Sequence, residues 1–156
     1  MTRSGPDLAL LLLGGFRSLV DQAVVELETR GFADVRPVHD FAMRAIAAGA
    51  GNTSELGRRL AVTKQGAAKI VAVLEERGYV AREADPDDAR AKRLLVTPLG
   101  LEVLRQGEEV FDGLRRQWEQ QIGRDQLDAL EQNLHALVGD SPIRFDTPGW
   151  LAREVG

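Results

Sequence analysis

Lys64, Gln65, Ala68, Lys69 and Arg90 are the residues of this 156-residue chain whose types and spacing point to a chemistry. Thr63 has the short hydroxyl side chain that opens a helix by accepting a backbone N–H. Beyond it Ala67, Ile70, Val71 and Leu74 recur at three- and four-residue steps, the repeat of one buried helix face. Lys64, Gln65, Ala68 and Lys69 then face outward. A glutamine so placed can pair with the edge of a base in a major groove, and the two lysines can meet phosphate or guanine. Gly66 lets the backbone come close and leaves one fewer side chain for reading. The same residues also suit the solvated side of an amphipathic helix, so the neighbouring elements have to decide between the two readings.

Those neighbours predict a winged helix-turn-helix. Asn52 followed by Glu55 forms a cap at the start of a short helix through about Leu60, in which Leu56 and Leu60 lie on one face. This helix supports the second one. Gly78 ends the second helix after Arg77, and Tyr79-Val80 opens a strand whose partner is Arg93 to Val96. The connection from Glu83 to Lys92 is the wing. Within it Asp85-Pro86-Asp87-Asp88 favours a turn that holds Arg90 near a projecting tip, with Asp88 expected to brace Arg90 by a salt bridge. An arginine there suits a narrow minor groove, where negative potential is concentrated. Taken alone, Arg90 is also an ordinary turn charge. The predicted DNA-contact set is Thr63, Lys64, Gln65, Gly66, Ala68, Lys69, Asp88, Arg90, Lys92 and Arg93.

Several of these elements, in this order and spacing, resemble the multiple-antibiotic-resistance regulator (MarR) family of bacterial transcription factors. The resemblance is carried by Asn52, Leu56, Thr63-Lys64-Gln65, Leu74-Glu75-Glu76-Arg77-Gly78-Tyr79-Val80, Asp85-Pro86-x-Asp88-x-Arg90 and Leu95-x-Thr97-x-x-Gly100, and it covers roughly residues 37 to 101. It implies a homodimer with two reading helices, and often a small-molecule effector held between the DNA-binding and dimerisation regions. The flanks share only the family's helical pattern and length.

Composition agrees with one domain bearing long helical extensions: 44% of residues are hydrophobic and only 5% aromatic. The formal charge of -4 by itself argues weakly against nucleic acid. Its distribution argues the other way, because residues 52 to 97 hold nine Lys or Arg against seven Asp or Glu, a local +2, and leave -6 to the remainder. Affinity for DNA is expected to fall steeply with salt. Cysteine is absent, which excludes disulfides, thiolate metal sites and thiol-based redox switching. The apolar run Leu8 to Leu13 is six residues long and runs into Phe16-Arg17, too short for a bilayer span, so no membrane partner and a cytoplasmic location are expected.

The expected fold class is therefore mainly α with a small β-wing. A winged helix-turn-helix core, residues 37-97, is flanked by an N-terminal dimerisation helix, 1-36, and by C-terminal dimerisation helices and tail, 98-156. Leu8, Leu12, Phe16, Leu19, Ala23 and Leu27 make one apolar stripe on a helix that stops at Gly31. Thr97-Pro98 starts another long helix with Leu101, Leu104, Phe111, Leu114, Trp118 and Ile122, and a last helix, about Asp125 to Val138, presents Leu127, Leu130, Leu134 and Leu137. A small winged core cannot cover all these stripes, so packing against a second copy is the simpler expectation. Ile143, Phe145, Trp150 and Leu151 suggest a tail that wraps over a partner.

Candidates for an effector pocket are Phe16, Arg17, His39, Met43, Arg44 and Phe111, on the first helix, the Pro37 to Ala48 helix and the Thr97 helix. The two arginines could pair a small aromatic or anionic molecule, or could form interhelix salt bridges with Asp21 or Asp40. His39 and His135 are the only histidines and have no ligand-like spacing, so no metal and no cofactor are expected. No nucleophile-base pair or phosphate-cradling loop marks an enzyme. Two function classes remain: a sequence-specific DNA-binding regulator, expected to be a ligand-responsive repressor acting as a homodimer on a pseudo-palindromic operator, and a winged-helix protein-interaction module with little specific DNA binding.

Overall fold

Ser4, Asn52, Thr63 and Thr97 each open a helix with a side-chain oxygen that accepts a backbone N–H, satisfying one of the donors that a helix start leaves open. The computed structural model describes residues 3–139. In chain order the elements are α1 (Gly5–Thr29), α2 (Pro37–Ala47), α3 (Thr53–Leu60), α4 (Lys64–Glu76), β1 (Val80–Asp85), β2 (Asp88–Val96), α5 (Pro98–Ile122) and α6 (Arg124–Val138). The protein is mainly helical with a small antiparallel β-wing. Its described residues form two compact units, 3–36 with 106–137, and 37–105 with 138–139.

The second unit is built around Met43, Leu56, Val71 and Leu74, all fully buried. Burying one such side chain is worth about 1.5–3 kcal/mol, so these four and their apolar neighbours dominate the unit's stability. They come from α2, α3 and α4, which pack on one another, with β1 against α4 and β2 against α2. The base of the wing is tied in by the Leu94 N–H, which donates to the Gly51 carbonyl just ahead of α3 at 2.9 Å.

One junction holds the end of α4, both strands and the start of α5 together. Gly78 stands at φ 77, the left-handed conformation that lets the chain leave α4 and turn into β1. The Thr97 hydroxyl donates to the Gly78 carbonyl at 2.5 Å, its N–H donates to the Tyr79 carbonyl at 3.0 Å, and its oxygen accepts the Gly100 N–H at 3.1 Å. Tyr79 is buried, and that burial raises its phenol above the ordinary range, against a smaller opposing pull from Arg77. At residue 100 the backbone passes so close that a Cβ would collide with the Tyr79 carbonyl oxygen and lie 2.7 Å from Val96 Cγ1.

The first unit buries Val20, Ala23, Leu27, Val110, Leu114 and Leu127. Arg30, just past α1, binds Gln106 and Glu109 of α5, while Arg115 of α5 reaches Asp128 and Glu131 of α6 and Glu119 one turn on. The hydrogen bond to Glu131 raises the Arg115 pKa further, so this cation stays charged. The apolar stripes are covered only in part. Leu8, Leu12 and Phe16 are exposed on α1, as are Leu101, Phe111 and Ile122 on α5 and Leu130 and Leu137 on α6. On α5 the covered face is centred on Val103, Val110 and Leu114, so the stripe predicted through residues 101 and 111 is rotated from the buried one.

Two expectations need correction. Counting only Leu8 to Leu13 understates α1, which is one 25-residue helix whose most apolar 18-residue window has a mean hydropathy of 1.6. By length and composition it could cross a bilayer, and a packed helix of a soluble protein passes the same test. The wing is also longer than predicted. Both strands extend to a two-residue connection, Pro86-Asp87, because backbone pairing continues through the charged segment that sequence pattern assigns to a loop. The tail residues Ile143, Phe145, Trp150 and Leu151 lie outside the described residues.

Gly100→Ala is expected to lower stability by about 1–3 kcal/mol, the usual cost of overpacking, because the obstructing atom is backbone. Chemical denaturation should show a lower midpoint at unchanged slope, and an unchanged midpoint would contradict the close approach at this junction.

Candidate nucleic-acid interface

The outer face of α4 begins with its cap. The Thr63 hydroxyl oxygen accepts the Gly66 N–H at 2.9 Å, and a Cβ on residue 66 would stand only 3.2 Å from that oxygen. Ala67, Ile70, Val71 and Leu74 are buried as the periodicity predicts, and Lys64, Gln65, Ala68 and Lys69 are exposed. Ala72 is exposed with them. Sequence reading left this residue out, although it lies four places beyond Ala68 and seven beyond Gln65, the spacing of one helix face.

Beneath α4, the supporting helix is fastened in a way that residue spacing does not reveal. Arg59 donates to the carbonyls of Ala45 and Ala48, both at 3.2 Å, and to Glu55 at 3.1 Å. It thereby closes the open end of α2 and sets α3 against it. Asn52 caps α3 by accepting the Glu55 N–H at 2.8 Å, whereas Glu55 reaches back to the Gly51 N–H rather than to that of Asn52.

The wing ladder runs from Val80↔Val96 to Ala84↔Lys92 and then shifts to Asp85↔Asp88. Ala89, Arg90 and Ala91 are therefore extra residues on β2, and Arg90 stands in the middle of the bulge, exposed. The salt bridge expected between Asp88 and Arg90 does not form. Instead Asp88 accepts the backbone N–H of Arg90 at 3.0 Å, and Asp85 accepts that of Asp87 at 2.9 Å. A carboxylate two residues upstream in a turn meets the amide more readily than the far end of the same residue's long side chain.

Cations of this unit fall into two groups. Arg44 is held by Asp40, Arg59 by Glu55, Arg82 by Glu75, Arg93 by Glu83 and Arg105 by Glu102. The side chains of Arg58, Lys64, Lys69, Arg90 and Lys92 make no ion pair or hydrogen bond among the described residues. Arg93, included in the predicted contact set, donates twice to Glu83 at 2.8 and 3.0 Å. Residues 37–105 carry eleven Lys or Arg against nine Asp or Glu, a net +2, while residues 3–36 with 106–137 carry seven against twelve, a net -5.

The effector candidates divide between the units. Phe16, Arg17 and Phe111 belong to the first, Phe16 and Phe111 partly exposed; His39, Met43 and Arg44 belong to the second. Met43 is fully buried, His39 nearly so, and Arg44 donates to Asp40 at 2.7 Å. Two open grooves lie within single units. One, in the first unit, is lined by residues including Asp21, Glu26, Arg30, Glu109 and Arg116, and the other, in the second, by residues including Ile46, Arg93, Leu94 and Leu101. Neither is lined by any of the six candidates.

Thr63→Ala should destabilise the fold by about 1 kcal/mol through loss of the cap, and Thr63→Ser should restore most of it. Paired thermal melts at one concentration test this, and equal melting temperatures for all three proteins would show that the cap contributes nothing.

The MarR family pattern matches residues 43–91, from within α2 to within β2. No curated protein sequence matches the chain. Solved structures share its fold. The transcriptional regulator Tm0710 of Thermotoga maritima is 24% identical, with a TM-score of 0.60 over 87% of this chain and 94% of its own. A MarR-family transcriptional regulator of Rhodococcus sp. RHA1 is 17% identical, with a TM-score of 0.64 over 92% and 100%. A variant of Staphylococcus aureus MepR, solved bound to an oligodeoxyribonucleotide, is 16% identical, with a TM-score of 0.60 over 84% and 95%. Family pattern and fold meet on the segment that holds α3, α4 and most of the wing: residues 43–91 are similar to the MarR family pattern, and the chain has the winged-helix fold of these solved structures.

Proposed function

We propose that this chain is a DNA-binding transcription regulator, a ligand-responsive repressor that acts as a homodimer on a pseudo-palindromic operator. The observation that carries the DNA reading is the division of cations in residues 37–105: Lys64 and Lys69 on α4 and Arg90 and Lys92 on the wing, with Arg58 on α3, are unpaired among the described residues, while Arg44, Arg59, Arg82, Arg93 and Arg105 are held by carboxylates. Side chains that fold onto carboxylates stabilise the protein, whereas unpaired cations on one reading helix and one wing suit phosphate. Thr63 and Gly66 shape the start of α4, Gln65 faces the bases, and Arg90 enters the minor groove from its bulge. Asp88 positions Arg90 through the backbone, and Arg93 steadies the wing through Glu83. The oligonucleotide-bound MepR variant, of the same fold, lends this reading support.

The homodimer reading is supported by the exposed leucines of α1, α5 and α6, apolar side chains that a second copy would cover. Two copies related by a two-fold axis present two reading helices to half-sites about one DNA turn apart. Repression follows from occupying a site that polymerase needs. For the ligand, Arg44 of the second unit is the group we propose to meet its anionic end. An anionic aromatic molecule would compete with Asp40 for Arg44.

Selection from a random duplex pool near physiological salt is expected to enrich an inverted repeat. On that repeat, Arg90→Ala should weaken binding and reduce the slope of log affinity against log salt by about 1, whereas Arg93→Ala should change the slope little. Absence of any enriched sequence, with the same feeble retention for both variants, would point to a protein-interaction module instead. For the effector, a panel of aromatic acids should lower operator affinity of the native protein and leave an Arg44→Ala variant unmoved; no effect of any acid on native protein would sink the ligand-responsive part of the proposal.

A further inference from the structure

Exposed α4 residues form a stripe of unusual chemistry for a reading helix. Gln65, Ala68, Lys69 and Ala72 are exposed, opposite the buried Ala67, Ile70, Val71 and Leu74. At 3.6 residues per turn the four exposed residues fall within an arc of about 100°, with Ala72 near its centre. Gln65 and Lys69 can hydrogen-bond with a base edge, and the other two of the four side chains are bare methyl groups. Exposed alanines on a helix are explained well enough by helix propensity, but these two lie beside the glutamine on the face that would enter the groove.

An alanine on this face has two physical consequences. Its shortness lets the helix backbone sink towards the groove floor, and its methyl group seeks an apolar neighbour there. The major groove offers one, the C5 methyl of thymine. Gln65 meanwhile matches the N6 and N7 atoms of adenine. Glu76 lies on the same side one turn beyond Ala72 and is exposed. Its carboxylate would meet phosphate unfavourably, so the inserted part of α4 ends at Ala72.

We propose that Ala68 and Ala72 are specificity-determining residues that read thymine methyl groups beside an adenine read by Gln65. At 1.5 Å rise per residue, Ala72 stands about 10 Å along the axis from Gln65, so both thymines fall within about three base pairs of that adenine. The inference rests on the DNA reading given above and adds the base chemistry of the half-site. It also assigns a role to Ala72, which lies outside the contact set predicted from sequence.

The test keeps the native full-length protein and changes only the DNA. After selection of an inverted repeat, each thymine of the half-site is replaced in turn by deoxyuridine, which pairs identically and lacks the C5 methyl, and affinity is measured by fluorescence anisotropy. Two positions in each half-site should lose about fourfold in affinity, the ratio that corresponds to burying one methyl group. Ala72→Gly, checked for retained helicity by circular dichroism, should abolish the thymine-to-uracil difference at one of them and leave the other. Equal affinity for every uracil-substituted duplex, or a selected half-site with no thymine within three base pairs of the adenine, overturns the inference while the DNA reading stands. Failure to enrich any sequence overturns both.

Discussion

The short polar contacts of Thr97 are the constraint on which the second unit depends. Its hydroxyl donates to Gly78 and accepts from Gly100, and its amide donates to Tyr79, so one residue joins the end of the reading helix, the base of the wing and the first turn of α5. Each of these groups is a backbone atom that would otherwise be left open at a helix end or strand start. Because Gly100 has no side chain, α5 lies directly against the Tyr79 backbone. A packed junction of this kind has little freedom to bend, and the orientation of α4 relative to the wing follows from it.

Electrostatics in the same unit divides between holding and presenting. Glu75 takes Arg82, Glu83 takes Arg93 and Glu55 takes Arg59, each a partly exposed pair worth only a fraction of a kcal/mol in water. Their consequence is mainly geometric. They hold guanidinium groups against the wing and the supporting helix, and leave the net +2 of the unit to side chains that form no ion pair among the described residues. The net -5 of the other unit disfavours approach of a polyanion there.

Much of this was legible from residue order. The caps at Asn52, Thr63 and Thr97, the buried face of α4 and the glycine stop at Gly78 are local signals: each depends on contacts within about four residues, and each was read correctly. The errors cluster where contacts are longer in range or the signal is weak. The strands run on through charged residues because pairing is a backbone property, and side-chain pattern does not report it. Asp88 turned to an amide instead of a guanidinium because the bulge brings the amide within reach. Arg59 carries no local signal, because its partners, the carbonyls of Ala45 and Ala48, are more than ten residues away.

By itself, then, the order of residues determined where the helices of the reading unit begin, which face of α4 is buried and where the positive charge is concentrated, since capping, periodicity and composition act over one or two turns of chain. Tertiary structure alone decided which of the arginines are held by carboxylates and which have no ion pair among the described residues, how far the wing ladder extends, and that Arg90 stands in a bulge. Those outcomes depend on which backbone and side-chain groups from distant segments arrive within hydrogen-bonding distance, a condition of about 3 Å that spacing along the chain does not encode.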